Sequence, residues 1–262
     1  MKGIIFSAGL GTRLKPFTES FPKALFPIND TPLLEIVIKE FHHYGIDDIV
    51  INVHHFADMI EEWIGQQEWI RSLGIKIEFS DEREFLLDTG GAILKAKEKL
   101  KGEGPIIAHN VDILSNANLK ELVSRHQEGS LATLLVSPMK SSRGFLFEPR
   151  SMKLAGWTNH NTSEVIITRA DIHHSECLTL AFSGIQVLSQ EIFEAMEEYT
   201  KEKSPQNNSS AGIKFSIRDF YLWAASRYSI IGINAPDLKV LDVGKADAIE
   251  PARHFLSISS SL

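Results

Sequence analysis

Short apolar runs alternate with amphipathic stretches from the first residues onward. Residues 3–7 read as a strand, 33–44 as a helix and 48–53 as a second strand, and this alternation predicts a parallel sheet. In the helix, Leu34, Val37, Ile38, Phe41 and Tyr44 recur at helical spacing. They set one apolar stripe against the sheet and leave Glu35, Lys39 and Glu40 toward water. Pro32 suits the first turn. Further βα units are predicted through 56–64, 75–79, 90–100, 105–108, 119–126 and 131–136.

The rhythm then breaks. Short β-like pieces at 145–147, 152–157 and 165–168 predict a hairpin-rich insertion around 140–175, a natural lid or acceptor-binding wall. A strand at 178–188, helices at 190–199 and 217–228, strands at 229–234 and 239–243 and a helix at 246–255 complete the pattern. Residues 203–212 have no apolar anchor and read as an exposed loop, and the Ser-rich tail is expected to fray. No internal repeat is visible. The expected fold is α/β, a Rossmann-like, mixed but mainly parallel sheet flanked by helices, in one domain spanning 1–262 with a β-rich insertion.

Composition narrows the function classes. A chain of 262 residues can bury a full core, and its apolar and charged fractions exclude disorder and fibrous repetition. A formal net charge of −7 argues against nucleic acid as partner, so an anionic substrate must meet a local cationic pocket. Cys177 is the only cysteine, which rules out an internal disulfide and fits a reducing compartment. The first eight residues lack the features of a signal peptide, and no run approaches membrane-spanning length. A cytoplasmic protein without a membrane partner, monomeric or a small homo-oligomer, is expected.

Between the first strand and the first helix lies S-A-G-L-G-T-R-L-K-P-F-T-E-S-F-P-K-A-L-F-P. Gly9 and Gly11 let successive backbone amides approach a phosphate with no side chain in the way. Arg13 offers a planar fork for phosphate oxygens and Lys23 a compact point charge between Pro22 and Pro27. The bland reading is a plain βα turn with two solvated cations. A dinucleotide fingerprint is excluded because Leu14 stands where its third glycine belongs, and no Walker A spacing occurs.

The string G-L-G-T-R-L-x-P-x-T with the following P-K-A-L-F-P resembles the signature of the sugar-1-phosphate nucleotidyltransferases. The likeness extends over D-T-G-G-A, H-N-V-D, F-S-G-I and L-D-V-G, almost the full length. Among these enzymes it is most similar to the small N-acetylmuramic acid 1-phosphate uridylyltransferases and the mannose- or heptose-1-phosphate guanylyltransferases. The resemblance implies the fold of the nucleotide-diphospho-sugar transferases and a metal-assisted attack by a sugar phosphate on the α-phosphorus of a nucleoside triphosphate. UTP with an amino-sugar 1-phosphate comes first, guanylyl transfer to mannose or heptose 1-phosphate second. By the same resemblance Arg13 holds the triphosphate with Thr12 beside it, and Lys23 serves the α-phosphate region.

Nucleotidyl transfer needs charge neutralised at the reacting phosphorus, and Mg²⁺ held by carboxylates is the usual device. Asp112 follows the apolar run P-I-I-A, and Asp242 sits inside K-V-L-D-V-G, where a charge is costly without a partner. The bland alternatives are a turn residue and a buried structural aspartate. The family places its two magnesium aspartates at matching positions, although Val111 replaces the glycine that commonly precedes the first.

Thr89, Gly90 and Gly91 either cap a helix or bring bare backbone against a base, and the resemblance assigns them to the nucleobase with Ala8 and Gly9. Asn52, at a strand end, either reads a base or fixes a turn. Ser183 and Gly184 resemble the family's acceptor-sugar strand, and Glu164 is a candidate acceptor of sugar hydroxyls. A Glu-Lys-Pro lysine common in relatives is missing from T-S-E-V-I, which leaves Arg143, Arg150 and Lys153 as substitutes. Paired histidines at 42–43, 54–55 and 173–174 lack zinc-ligand spacing. Two rivals stay open: a glycosyltransferase using a nucleotide sugar, and a non-catalytic nucleotide or nucleotide-sugar sensor.

Overall fold

The computed structural model describes residues 1–169, 172–203, 212–244 and 246–259. A ten-stranded sheet forms the centre. Strand Lys2–Phe6 lies between Asp48–Val53 and Ile106–Asn110, parallel to both, and Lys76–Asp81 extends the sheet in the same direction. The three inner strands are largely apolar on both faces because helices cover both, whereas the edge strand Lys76–Asp81 alternates with exposed polar residues. Ile5, Ile49, Ile51 and Ile107 point into one cluster with helices Leu33–His43 and Ala57–Gln66. Ile4, Val50, Ile106 and Ala108 point into the other, with Asp88–Lys95, Ile192–Lys203 and Ile217–Ala224.

Beyond the centre the long strand Leu178–Leu188 runs antiparallel and forks. Its later residues pair with Ile106–Asn110, while Leu178, Thr179 and Leu180 pair with Arg143–Phe147. Gly184 at φ 85° marks the bend, inside a register shift against Ser130–Ser137 between Phe182 and Gln186. A side chain at Gly184 would meet Asn110 at 2.8 Å, so the bend brings this strand against the end of Ile106–Asn110. The predicted insertion is the meander Arg143–Phe147, Leu154–Asn159 and Glu164–Ile167. Ser229–Asn234 completes the sheet, parallel to Ser130–Ser137.

Three expectations change. The segment near 240 joins no large sheet: Val240–Asp242 pairs with Ile113–Ser115 in a separate ribbon. The last helix begins at Ile249 after a short 3₁₀ turn, Ala246–Ala248. Glu40 is half-buried rather than turned fully to water. It stands three residues after Val37 and four before Tyr44, inside the stripe, and its carboxylate lies 3.7 Å from Nε2 of the fully buried His109. Lys39 keeps the solvent face and pairs at 2.6 Å with Glu35, which is half-buried like Glu40. Most of the loop expected at 203–212 and the end of the tail fall outside the described residues. No described helix is long and apolar enough to cross a membrane.

Candidate active site

The loops that follow the parallel strands enclose a cavity of about 440 Å³. Its walls come from Phe6–Arg13 with Lys23, from Asn52, from Leu86, Asp88 and Thr89, from Asn110–Asp112, and from Lys214 and Gly244. This is the place where open α/β sheets bind ligands. A larger hollow of about 580 Å³, lined by Glu148, Lys153, Arg169 and Arg227, holds none of the glycine-loop or aspartate motif residues.

The phosphate loop takes its shape from glycine. Gly11 is left-handed at φ 62°, its carbonyl accepts from Leu14 N and from Thr18 Oγ1 at 2.8 Å each, and a Cβ there would strike Thr18. At Gly9 the space a side chain would fill is open to 4 Å, so an anion can approach bare backbone. Lys23 is buried and ion-paired with Asp112, and Arg13 reaches Asp242 at 3.3 Å. The small ribbon sets Asp242 opposite Ile113, and Val243 N donates to Asp112 O at 2.8 Å.

All four charged groups therefore gather around one glycine. A Cβ on Gly244 would lie 2.5 Å from the Arg13 guanidinium, 2.5 Å from an Asp242 oxygen and 3.0 Å from Lys23 Nζ, whose partner is Asp112. Val111 sends its side chain into the core, 4% exposed, and its N–H donates to Phe6 O at 3.1 Å. The donor set facing the cavity is oxygen only, and the described residues contain no cluster of three or more His, Cys, Asp or Glu. Asp112 lines the cavity, and Asp242 stands beside Gly244 without lining it; two carboxylates of this kind fit a hard cation such as Mg²⁺ rather than zinc. The ammonium and guanidinium lying on these carboxylates already mark them as a seat for positive charge.

Asn52 is buried and fully engaged. Its Oδ1 accepts from Ser7 N at 2.7 Å and Ala8 N at 3.4 Å, while Nδ2 donates to Glu82 at 2.9 Å. The other oxygen of Glu82 accepts from Leu87 N at 3.0 Å. Burial pushes the Glu82 carboxyl above its ordinary range, partly offset by these bonds. The phosphate loop and the 86–89 turn are thus tied through one buried acid that sequence reasoning missed. Its place among the four charges of D-E-R-E hides which one turns inward; a single acid directly after a strand is the only available signal.

Thr89 lines the cavity, whereas Gly90 and Gly91 do not. Their bare faces receive another segment: a Cβ at Gly90 would lie 2.4 Å from the Phe215 ring, and at Gly91 2.3 Å from Ile213 O. Gly90 N and Gly91 N donate to Phe215 O at 3.0 and 3.2 Å, Phe215 N donates to Leu87 O at 3.1 Å, and Ile217 N donates to Thr89 Oγ1 at 3.2 Å. This strap carries Lys214 into the cavity, a residue no motif had marked.

The acceptor-side candidates are scattered. Ser183 is buried, with its hydroxyl donating to Leu135 O at 2.8 Å and accepting from Ile185 N at 3.2 Å. Gly184 touches the cavity only through its neighbour Asn110. Glu164 is exposed at the edge of the meander, outside the cavity lining. Arg143, Arg150 and Lys153 do not line it either. The paired histidines bond locally, His42 to Asp47 and His54 to the Glu82 carbonyl, each at 2.6 Å. Burial and the neighbouring Glu176 push the Cys177 thiol up, away from thiolate chemistry.

Comparison with known proteins identifies the family and the fold. Residues 2–145 match the nucleotidyl transferase family. The D-glycero-α-D-manno-heptose 1-phosphate guanylyltransferase of Aneurinibacillus thermoaerophilus is 30% identical across 90% of this chain and 94% of its own length. The N-acetylmuramate α-1-phosphate uridylyltransferase of Caulobacter vibrioides is 38% identical over 42% of this chain and 44% of its own. Apo UDP-glucose pyrophosphorylase superposes with a TM-score of 0.74 over 99% of both chains at 18% identity. HddC from Yersinia pseudotuberculosis complexed with GMP-PN gives 0.71 over 97% of this chain and 99% of that one at 19% identity. The fold is that of these enzymes. The chain belongs to the nucleotidyl transferase family.

Proposed function

We propose that this enzyme transfers a nucleotidyl group from a nucleoside triphosphate to a sugar 1-phosphate, releasing pyrophosphate. The observation that carries the reading is the convergence of Arg13, Lys23, Asp112 and Asp242 around Gly244, at the open end of the phosphate loop. The loop amides and Arg13 bind the polyphosphate, and Lys23 neutralises charge at the α-phosphorus. Asp112 and Asp242 would hold Mg²⁺, which when bound supplies further positive charge to the phosphate oxygens. An oxygen of the acceptor phosphate forms the new bond to the α-phosphorus, and the bond to the β-phosphate oxygen breaks. The acceptor is ionised near neutral pH, so the protein contributes alignment and electrostatics rather than a nucleophile.

The donor in this reading is UTP or GTP. UTP is tried first because the uridylyltransferase is the more identical of the two relatives, over a shorter span. Asn52 holds the walls of the base region, which leaves base discrimination to the backbone of the 8–9 segment. The test is a matrix of UTP and GTP against N-acetylmuramic acid, mannose and heptose 1-phosphates, read by pyrophosphate release with and without Mg²⁺. Release with a sugar 1-phosphate supports the reading. Binding without release points to a sensor, and turnover of a nucleotide sugar without pyrophosphate points to a glycosyltransferase.

A further inference from the structure

The charges around the cavity do not suffice for two phosphorylated substrates. Arg13 and Lys23 each lie against a carboxylate already, and a phosphate monoester adds about 1.5 to 2 negative charges at neutral pH to those of the triphosphate. Among the described residues lining the cavity, Lys214 is the cation with no ion pair. It enters from a different wall, the one built on Leu86, Asp88 and Thr89.

Its root is fixed. Four hydrogen bonds tie Phe215 and Ile217 to Leu87, Thr89, Gly90 and Gly91, and Phe215 is only 8% exposed, so the backbone bearing the ammonium is held while the side chain stays free to reach. A preplaced cation stabilises bound anion without reorganising at the moment of reaction. In-line displacement puts the attacking oxygen and the leaving pyrophosphate on opposite sides of the α-phosphorus. With Arg13 on the polyphosphate and Lys23 at the α-phosphorus, Lys214 is the cation among the described lining residues that remains for the acceptor phosphate.

Resting on the transfer reaction above, we infer that Lys214 grips the phosphate of the sugar 1-phosphate and thereby fixes the acceptor for attack. The two glycines of D-T-G-G then serve the acceptor indirectly, by seating the strap.

The experiment is steady-state kinetics of wild type, Lys214→Ala and Lys214→Arg, varying the sugar 1-phosphate and the triphosphate separately. A charge-assisted contact of this kind predicts a KM for the sugar 1-phosphate raised about 10- to 100-fold in Lys214→Ala, with partial recovery in Lys214→Arg. The KM for the triphosphate stays within about threefold, and an unchanged thermal midpoint shows the fold intact. A rise confined to the triphosphate KM, or no rise in either, overturns the assignment while leaving the transfer reaction standing. A wild type that releases no pyrophosphate with any acceptor overturns the reaction itself, and the assignment with it.

Discussion

Beneath the active site, Glu40 and His109 make opposite demands on pH. His109 Nδ1 lies 2.8 Å from the Asn110 carbonyl, which can only accept, so Nδ1 carries the hydrogen and Nε2 offers a lone pair. That lone pair has no hydrogen-bond partner, and its nearest acid is the Glu40 carboxylate at 3.7 Å. Burial pushes the Glu40 carboxyl up to about 8 from 4.5 and holds His109 down at about 4 from 6.5. Tyr44 on the same helix is raised by burial and by the Glu40 charge, and Asp112 favours the charged imidazole, so neither relieves Glu40. At 3.7 Å Glu40 is not hydrogen-bonded to Nε2, but in its protonated form it is the neighbouring group able to donate there after a small shift.

The unfolded chain releases the Glu40 proton above 4.5 while the fold keeps it until about 8, so stability falls as pH rises through that window. His109 acts in the other direction, costing stability as pH drops from 6.5 toward 4. The two penalties balance near pH 5.5, the midpoint of the two ordinary values. At about 1.4 kcal/mol per tenfold change in proton affinity, ionising Glu40 costs the fold on the order of 5 kcal/mol above pH 8. Glu40→Gln keeps a donor for Nε2 and cannot ionise, so it is expected to flatten the alkaline limb. At pH 8.5 it is expected to melt roughly 5–10 °C above wild type. Urea or thermal unfolding of both proteins from pH 5 to 9 measures this. An alkaline limb of equal steepness in Glu40→Gln would refute the reasoning.

Three other outcomes are expected. Asp112→Asn abolishes magnesium-dependent pyrophosphate release with an unchanged circular dichroism spectrum, and normal turnover would remove this carboxylate from the mechanism. Arg13→Ala raises the triphosphate KM about 10- to 100-fold, as loss of a bidentate charged contact requires; a rise in the acceptor KM alone would count against its role. Gly90→Ala drives a methyl into the Phe215 ring and is expected to cost about 1–3 kcal/mol in chemical denaturation, since overpacking a fixed contact strains both sides.

The order of strands and helices was legible because each apolar stripe faces a sheet whose two sides are both covered. That the 6–13 loop and Lys23 line the cavity was legible because glycines and cations sit within one continuous stretch. What escaped depended on contacts far apart in sequence. Glu40 falls at a stripe position that a polar residue usually avoids, and only the buried imidazole of His109, 69 residues later, explains it. Gly90 and Gly91 invite a ligand in one dimension and receive Phe215 and Ile213 in three. Lys214 lies between a motif-poor loop and an ordinary amphipathic helix, with nothing nearby to mark it. Ser183 looks exposed to chemistry in A-F-S-G-I, but the bend of its strand turns the hydroxyl to Leu135.

The pairing of Lys23 with Asp112 and of Arg13 with Asp242 makes the site a filter for counter-ions. A bare polyanion must pull Lys23 away and leave the acid facing phosphate oxygen, whereas an anion travelling with a divalent ion swaps partners and strands no charge. Sulfate or uncomplexed pyrophosphate are accordingly expected to be weak occupants of this pocket, however well its amides fit them.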